Sequence, residues 1–238
     1  MRLYGKAMLD YLGGESGRII IERDDGNGDP DTVKTLFASF TRWREDERTA
    51  IRAAKGRVLD IGCGPGRVSL YLQRRGLDVT TIDVSPEAVG CARRRGVDKA
   101  FLMDARHLAF PPRSFDTFVL FGNNFGIAGD FTATRRLLRN LAAIAKPGAR
   151  IIASTRTPGS WIERHAEYVM KNVREGRPPG LIRLRMIYKG RGGTWFPLLL
   201  LGPDDAMRLC FSARWGVIRV VPSGDGIADF SFIAERRR

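Results

Sequence analysis

A glycine-rich turn at the end of an apolar stretch constrains this chain more than any other feature. Residues 58–61 predict a buried strand that carries one acid, Asp60, and three glycines alternate over residues 62–66. Glycine lets the backbone turn sharply and approach a ligand without a Cβ in the way. A second predicted strand ends in Asp83, where a carboxylate can accept hydrogen bonds from both ribose hydroxyls. The two strand ends together predict a nucleoside-binding site.

The spacing of the glycines separates two kinds of nucleoside site. A dinucleotide fingerprint is G-x-G-x-x-G, in which the third glycine admits pyrophosphate to a helix N-terminus. Here the pattern is Gly62-x-Gly64-x-Gly66, and Arg67 stands where that third glycine belongs. The spacing therefore argues against a nicotinamide dinucleotide.

At this turn the chain resembles the class I (Rossmann-like) S-adenosylmethionine-dependent methyltransferases. Their first motif is similar to residues 60–66 and their second to residues 82–85. The likeness continues at residues 102–105, at 115–119, and at Lys146-Pro147-Gly148 before a strand, and so covers about residues 55–155. Five motifs in order at workable spacings are specific, whereas a lone glycine loop would be weak evidence.

The resemblance implies S-adenosyl-L-methionine as cofactor and gives roles to individual residues. Asp60 would fix the glycine loop or bind the methionine amine, Asp83 would bridge the ribose hydroxyls, and Val84 would pack against adenine. Asp104 would accept a hydrogen bond from the adenine amino group, with Ala105 alongside. The candidate cofactor-binding residues are Asp60, Gly62, Cys63, Gly64, Gly66, Asp83, Val84, Asp104, Ala105, Gly122 and Asn123.

Two residues are candidates for catalysis. Methyl transfer from a sulfonium is an in-line displacement, so alignment and desolvation supply much of the acceleration, and a base is needed only for an acceptor that holds its proton tightly. His165 follows the fifth strand on the acceptor side and is the general-base candidate, with a purely structural role as the alternative. Asn123 follows the fourth strand, but Gly122-Asn123-Asn124-Phe125 lacks the prolines of methyltransferases acting on adenine or glutamine amino groups. Capping of the turn is an equal alternative for Asn123.

The alternation of strands and helices from residue 57 onward predicts an α/β fold. We expect a doubly wound, seven-stranded, mostly parallel sheet with an antiparallel last strand. The predicted strands are 57–61, 79–83, 100–103, 115–121 and 150–154, followed by the pair 216–221 and 230–234. The predicted helices are 68–75, 86–95, 132–145 and 204–214.

Further segments surround this predicted core, residues 56–154. Residues 1–55 are expected to form a helical cover, with a short strand at 18–22, an acidic loop and a helix over 31–55. The aromatic stripe of that helix, Phe37, Phe40 and Trp43, is expected to pack in the core. Residues 155–202 are expected to form a lid with a basic hairpin, 181–188 paired with 192–199, and residues 203–238 to complete the sheet. The acidic loop, residues 22–25, either meets substrate or is a solvated turn.

The composition bounds the partners. The formal charge is +14, but 33 of the 40 basic residues are arginine, a bias that coding composition alone can produce, so nucleic acid is possible and not favoured. The three cysteines are isolated, which argues against a zinc site or disulfides. Without a signal peptide or a long apolar run, we expect a cytoplasmic protein that does not enter membranes. The oligomeric state is open.

The leading functional prediction is methyl transfer to a small organic acceptor, with an O, N or C centre left open. One alternative is an RNA or protein methyltransferase that uses the basic hairpin for docking. The other is a protein that holds S-adenosylmethionine without turnover.

Overall fold

The computed structural model describes residues 1–159, 163–224 and 226–237. Its seven α-helices in the described chain are α1 (Arg2–Leu12), α2 (Glu45–Ala50), α3 (Arg67–Arg74), α4 (Pro86–Arg94), α5 (Phe131–Ile144), α6 (Glu163–Arg174) and α7 (Pro203–Ser212). The strands are β1 (Arg18–Arg23), β2 (Gly28–Thr32), β3 (Arg57–Ile61), β4 (Asp78–Asp83), β5 (Lys99–Leu102), β6 (Phe115–Leu120), β7 (Ala145–Arg156), β8 (Leu181–Tyr188), β9 (Arg191–Gly192), β10 (Phe196–Leu199), β11 (Trp215–Ser223) and β12 (Gly226–Arg236).

The larger sheet has seven strands in the order β11-β12-β7-β6-β3-β4-β5. The pairs β3–β4, β4–β5 and β6–β7 are parallel, and β12 runs antiparallel to both β7 and β11. The predicted seven-stranded α/β fold is therefore confirmed. Because parallel strands end at the same edge, the acids at the ends of β3 and β4 come together there.

The smaller sheet has the order β10-β8-β1-β2, with β9 paired to β8. β1 and β2 form an antiparallel hairpin in which Ile20 lies opposite Pro30, and β1 pairs on its other side with β8, Ile20 opposite Ile187. The predicted basic hairpin is present, and β8 and β9 are joined across Lys189 and Gly190. The N-terminal hairpin and the basic hairpin therefore belong to one sheet.

The prediction of a single helix over residues 31–55 is wrong. Residues up to Thr32 belong to β2, and Thr32 caps a 3₁₀ helix, residues 33–37, by accepting a hydrogen bond from Lys34 N (3.2 Å). α-Helix is confined to α2 within residues 31–55, all of which the structure describes. Pro30 restricts the preceding residue to extended backbone, and pairing with β1 holds residues 28–32 as a strand.

The aromatic stripe itself packs as predicted. Trp43 is buried and donates through Nε1 to Ala38 O (3.0 Å), which closes the loop between them. Phe40 stacks on Tyr71 of α3, with ring centroids 4.2 Å apart. Phe37 packs against the buried cluster of Ala7, Met8, Ile19, Val33, Ala88, Cys91, Met186 and Tyr188.

In the acidic loop at residues 22–25, two carboxylates form ion pairs with arginine side chains. Asp25 accepts hydrogen bonds from Arg23 and from Asn27. Burial works to raise the pKa of Asp25, but these hydrogen bonds outweigh it and hold the pKa at about 2. Glu22 forms an ion pair with Arg185 of β8. These two carboxylates are therefore already paired with arginines, and the choice between substrate contact and a solvated turn stays a prediction.

The chain divides into two compact units, each built from interleaved stretches. Unit 1 comprises Met1–Trp43, Arg57–Leu108 and Arg183–Phe196, and unit 2 comprises Arg44–Gly56, Ala109–Ile182 and Pro197–Arg238. The core of unit 2 contains Phe118, whose ring meets Trp215 edge to face at 5.9 Å, and Trp215 donates through Nε1 to Leu138 O (2.9 Å). The division into cover, core, lid and C-terminal segment stays a prediction.

Candidate functional site

The glycine turn of unit 1 depends on left-handed backbone. Gly62, Gly64 and Gly66 have φ angles of 72°, 52° and 80°. A Cβ at Gly66 would lie 2.6 Å from Val97 Cγ2, so both backbone conformation and packing require glycine there. A Cβ at Gly64 would lie 3.6 Å from Met8 Cε of α1. The turn is thus tightly packed at Gly66 and faces α1 at Gly64.

The turn is fixed to β4 by its own amides. Gly62 N and Cys63 N both donate to Ile82 O, at 2.9 and 3.2 Å. The Cys63 thiol donates to Gly64 O (3.4 Å), and burial raises the pKa of this thiol well above its ordinary value. The Cys63 amide therefore shapes the turn.

Asp60 lies at the end of β3 and is 3% exposed. Its Oδ2 accepts a hydrogen bond of 2.6 Å from Ser69 Oγ, which anchors the first turns of α3 beneath the glycine loop. Burial raises the pKa of Asp60 to about 6, although Ser69 and the nearby positive charge of Arg67 act in the opposite direction. Of the two roles that the resemblance implies, the contact with Ser69 supports fixing of the loop.

Asp83, at the end of β4, clamps the loops on either side of it. Its Oδ2 accepts from Gly64 N (3.0 Å) and its Oδ1 from Ser85 N (2.9 Å). Burial raises the pKa of Asp83, and these backbone amides oppose the rise. A carboxylate has about four acceptor positions, so each oxygen retains capacity for a ligand hydroxyl.

Apolar side chains are exposed at the ends of β4 and β5. Val84 is 46% exposed and follows Asp83 directly, and Leu102 is 59% exposed. Ala105 is buried nearby along the chain. Exposed aliphatic surface beside a carboxylate is the arrangement that a flat heterocycle attached to a ribose requires.

Asp104 forms an ion pair with Arg106. Arg106 donates to it through Nε, through Nη2 and through its backbone amide, with distances between 2.6 and 3.0 Å. These hydrogen bonds lower the pKa of Asp104. His107 Nδ1 lies 4.0 Å from Asp104 Oδ2. The sequence interpretation of Asp104 did not anticipate Arg106.

The N-terminal helix α1, which lies in the segment that the sequence predicts to be a cover, contacts the site directly. A Cβ at Gly5 would overlap Ser85 Oγ, the side chain that caps α4 by accepting from Ala88 N (3.3 Å). Tyr4 lies close to the charges of Asp83 and Arg67, and burial raises the pKa of its phenol. The guanidinium of Arg67 stands 4.7 Å from the centroid of the Trp43 ring.

The remaining candidates lie in unit 2. Gly122 and Asn123 follow β6, both with left-handed backbone, φ 69° and 68°. Gly122 N donates to Ser154 Oγ (2.9 Å). His165 is half-buried on α6, a helix that the sequence interpretation missed. The structure thus brings Asp60, Gly62, Cys63, Gly64, Gly66 and Asp83 together in unit 1, and places Gly122, Asn123 and His165 in unit 2.

The described residues give no candidate for two further features, a membrane-spanning helix and a metal-binding cluster. None of their helices is long and apolar enough to cross a membrane. Among the same residues, no group of three or more His, Cys, Asp or Glu side chains is arranged to hold a metal ion.

Comparison with solved structures agrees with this architecture. An S-adenosylmethionine-dependent methyltransferase from Bacteroides fragilis, solved in complex with S-adenosyl-L-homocysteine, superposes with a TM-score of 0.84 at 24% identity over 100% of this chain and 95% of that one. The sugar N-methyltransferase KedS8 from Streptoalloteichus sp. gives 0.63 at 19% identity, over 85% of this chain and 88% of its own. At these identities the likeness establishes the fold.

Sequence comparison finds similar proteins for about half of the chain. The ubiquinone biosynthesis O-methyltransferase of Xanthomonas euvesicatoria is 35% identical over 138 residues, 54% of this chain and 56% of the relative. That of Aeromonas salmonicida is 32% identical over 130 residues, 50% and 53% of the two chains. The match thus spans about half the length of these curated relatives. Residues 58–148 match the model of the methyltransferase domain family, and the chain shares its fold with the S-adenosylmethionine-dependent methyltransferases among the solved structures.

Proposed function

We propose that this protein transfers a methyl group from S-adenosyl-L-methionine to a small organic acceptor. The observation that carries the proposal is the geometry of unit 1, where the buried Asp60 and the clamped Asp83 flank a turn of three left-handed glycines. The match of residues 58–148 to the methyltransferase domain family and the fold both support the same cofactor.

The residues present fit this cofactor. Asp83 retains acceptor capacity for two ribose hydroxyls, and exposed Val84 offers an aliphatic surface to adenine. Gly64 leaves room on the side of the turn that faces Met8. When bound, S-adenosylmethionine supplies an electrophilic methyl group on a positively charged sulfur.

The chain's own contribution is binding, alignment and exclusion of water. Asp83 holds the ribose, and the glycine turn, fixed to β4 through Ile82 O, sets the direction of the bound molecule. α1 packs over Ser85 and Gly64 and so covers the glycine turn and the start of α4. Asn123 and His165 remain our candidates for contact with the acceptor, His165 as general base where the acceptor needs one.

The acceptor is proposed at the level of a small molecule. The curated relatives are named O-methyltransferases, and one structural neighbour is named a sugar N-methyltransferase. Both names describe small acceptors, and they leave oxygen and nitrogen centres open for this chain.

Calorimetry and a transfer assay test the proposal. S-adenosylhomocysteine should bind the purified protein, and NAD should not. Methyl-labelled S-adenosylmethionine should then label members of a panel of phenols, hydroxylated quinols, amino sugars and carboxylic acids. Tight NAD binding without binding of either S-adenosyl compound would refute the cofactor assignment. Cofactor binding without transfer to any acceptor would favour the non-catalytic alternative.

The RNA alternative depends on the cations of the basic hairpin, and two of these are already paired. Arg185 pairs with Glu22 and stands 4.7 Å from the Trp195 ring centroid. Lys189 donates to Asp10 (3.0 Å) and Glu15 (2.9 Å), which ties the hairpin to α1. Cations already paired with carboxylates release less free energy on binding phosphate.

We therefore expect weak, fully salt-screened binding to generic RNA. Filter binding across a range of salt concentrations checks this. Submicromolar affinity at physiological salt, abolished by neutralising Arg183, Arg185, Lys189 and Arg191, would promote the RNA methyltransferase alternative.

A further inference from the structure

A buried chain of hydrogen bonds in unit 2 connects α2 to the loop after β6. Ser154 Oγ, on β7, donates to Glu47 Oε1 of α2 over 3.0 Å and accepts from Gly122 N over 2.9 Å. Glu47 is 3% exposed and Ser154 is 1% exposed. A hydroxyl has a single proton, so the carboxylate that takes this proton also orients a lone pair of Ser154 toward the amide.

The turn after β6, which these hydrogen bonds hold, has left-handed backbone dihedral angles at two residues. Gly122 and Asn123 are consecutive residues with positive φ, a left-handed conformation that glycine and asparagine adopt more readily than other residues but that is rarely found at two successive positions without support from the surroundings. Such a conformation persists where the surroundings fix it. Downstream, Gly126 N closes the turn onto Asn123 O (3.1 Å), while the upstream end is attached through the Gly122 amide to Ser154.

The residues beside Glu47 anchor α2 to a second strand. Asp46 is fully buried, accepts from Ser231 Oγ of β12 (2.7 Å), and pairs with Arg44 (2.6 Å). Two adjacent acids at the start of α2 therefore attach this short helix to two strands, Asp46 to β12 and Glu47 to β7. The negative charges also lie at the helix N-terminus, where the helix dipole favours them.

We infer that Glu47 and Ser154 are positioning residues that hold the Gly122–Asn123 turn in the geometry used by the methyl-transfer site. The inference rests on the proposed function, in which Asn123 is a candidate for contact with the acceptor, and on the prediction from the sequence that Gly122 binds the cofactor. Neither residue of the pair touches the reacting groups; they act through the backbone amide of Gly122.

Amide hydrogen exchange of the full chain, followed by NMR at Gly122, tests the inference without an acceptor. Ser154→Ala removes the partner of the amide, and Glu47→Leu removes the group that orients Ser154. Glu47→Gln keeps an acceptor oxygen in the same place. Thr155→Val is the matched control, because Thr155 is the next residue on β7, is fully buried, and has a hydroxyl with no hydrogen-bond partner in the described structure.

We expect exchange at Gly122 to rise about 3- to 10-fold in Ser154→Ala and Glu47→Leu, the range for losing one hydrogen bond. Glu47→Gln should stay within about twofold of the parent, since the acceptor remains. Thr155→Val should do the same. The Kd for S-adenosylhomocysteine should rise in Ser154→Ala and not in Thr155→Val.

The inference would be overturned if the exchange rate at Gly122 in Ser154→Ala equalled that of the parent protein. It would also be overturned if that rate rose as much in Thr155→Val as in Ser154→Ala. If Glu47→Leu does not fold, the comparison of Ser154→Ala with Glu47→Gln and Thr155→Val decides. A parent protein that binds no S-adenosylhomocysteine would sink the proposed function, while the exchange data would still judge whether the pair holds the turn.

Discussion

Replacing Asp60 with asparagine should make the protein more stable at neutral pH, although Asp60 belongs to the most diagnostic motif of the chain. Burial raises its pKa from the ordinary 3.8 to about 6. Each pKa unit corresponds to about 1.4 kcal/mol, so ionised Asp60 costs the fold about 3 kcal/mol at neutral pH. Asparagine carries no charge and keeps an oxygen that can accept from Ser69.

The sign follows from proton binding. Between about pH 4 and pH 6 the native state holds a proton on Asp60 that the unfolded chain has already lost. The stabilisation from the protonated group is therefore fully present below about pH 4 and is lost as the pH rises through 6. Asp60→Asn removes this dependence.

Urea denaturation of parent and variant at several pH values between 4 and 8 measures the effect. The two free energies of unfolding should be similar at pH 4 and should diverge to about 3 kcal/mol in favour of the variant at pH 8. Asp78→Asn, at an exposed acid at the start of β4 that pairs with Arg57 and Lys99, controls for loss of one negative charge and should lower stability by about 1 kcal/mol or less. A variant less stable than the parent at pH 8, or a difference that is constant with pH, would refute the reasoning.

Three other perturbations probe the same region. Asp83→Ala should fold and weaken binding of S-adenosylhomocysteine by about 1 to 3 kcal/mol, measured by calorimetry, because hydrogen bonds to a charged acceptor are lost; unchanged affinity would remove Asp83 from the site. Gly66→Ala should lower the free energy of unfolding by about 1 to 3 kcal/mol, since its Cβ would meet Val97 Cγ2 at 2.6 Å in left-handed backbone, and an unaltered urea midpoint would contradict this. Segments 1–30 and 155–199 should gain amide protection when S-adenosylhomocysteine binds, and equal protection with and without the ligand would indicate a permanently formed cap.

The sequence predicts those elements whose signals are local. The strand that contains Asp60, the glycine turn and helix α4 each depend on residues adjacent in the chain, and all three appear as predicted. Alternation of strands and helices then suffices for the parallel sheet, because each crossover returns the chain to the same edge.

The missed elements depend on distant partners. β2 contains Asp29, Pro30 and Asp31, which are poor strand formers, and it exists because β1 supplies a pairing edge. α6 escaped notice because its buried residues include polar Asn172, which donates through Nδ2 to Pro179 O and Leu181 O. No local pattern marks either contact.

The same distinction between local signals and distant contacts applies to the candidate site. Asp60, Asp83 and the glycines fall at strand ends that the alternation already locates. Tyr4 and Glu47 reach their positions through packing of α1 and α2, and a charged residue such as Glu47 is ordinarily taken as solvent-exposed. The burial of Glu47 is accounted for by its hydrogen bond with Ser154, which lies 107 residues away in the chain and cannot be foreseen from the sequence around Glu47.

The pairing of β1 with β8 has a consequence for synthesis of the chain. Glu22 and Arg185 are 163 residues apart, and at about 5 to 20 residues per second the ribosome needs roughly 10 to 30 seconds to deliver the second strand after the first. During that interval one edge of β1, with three consecutive isoleucines, has no partner. Pro30 in β2 and Pro197 in β10 occupy the two outer strands of the finished sheet, where proline discourages pairing with other chains. The inner edge of β1 has no such protection, so the nascent chain is most prone to aggregate before residue 188 emerges.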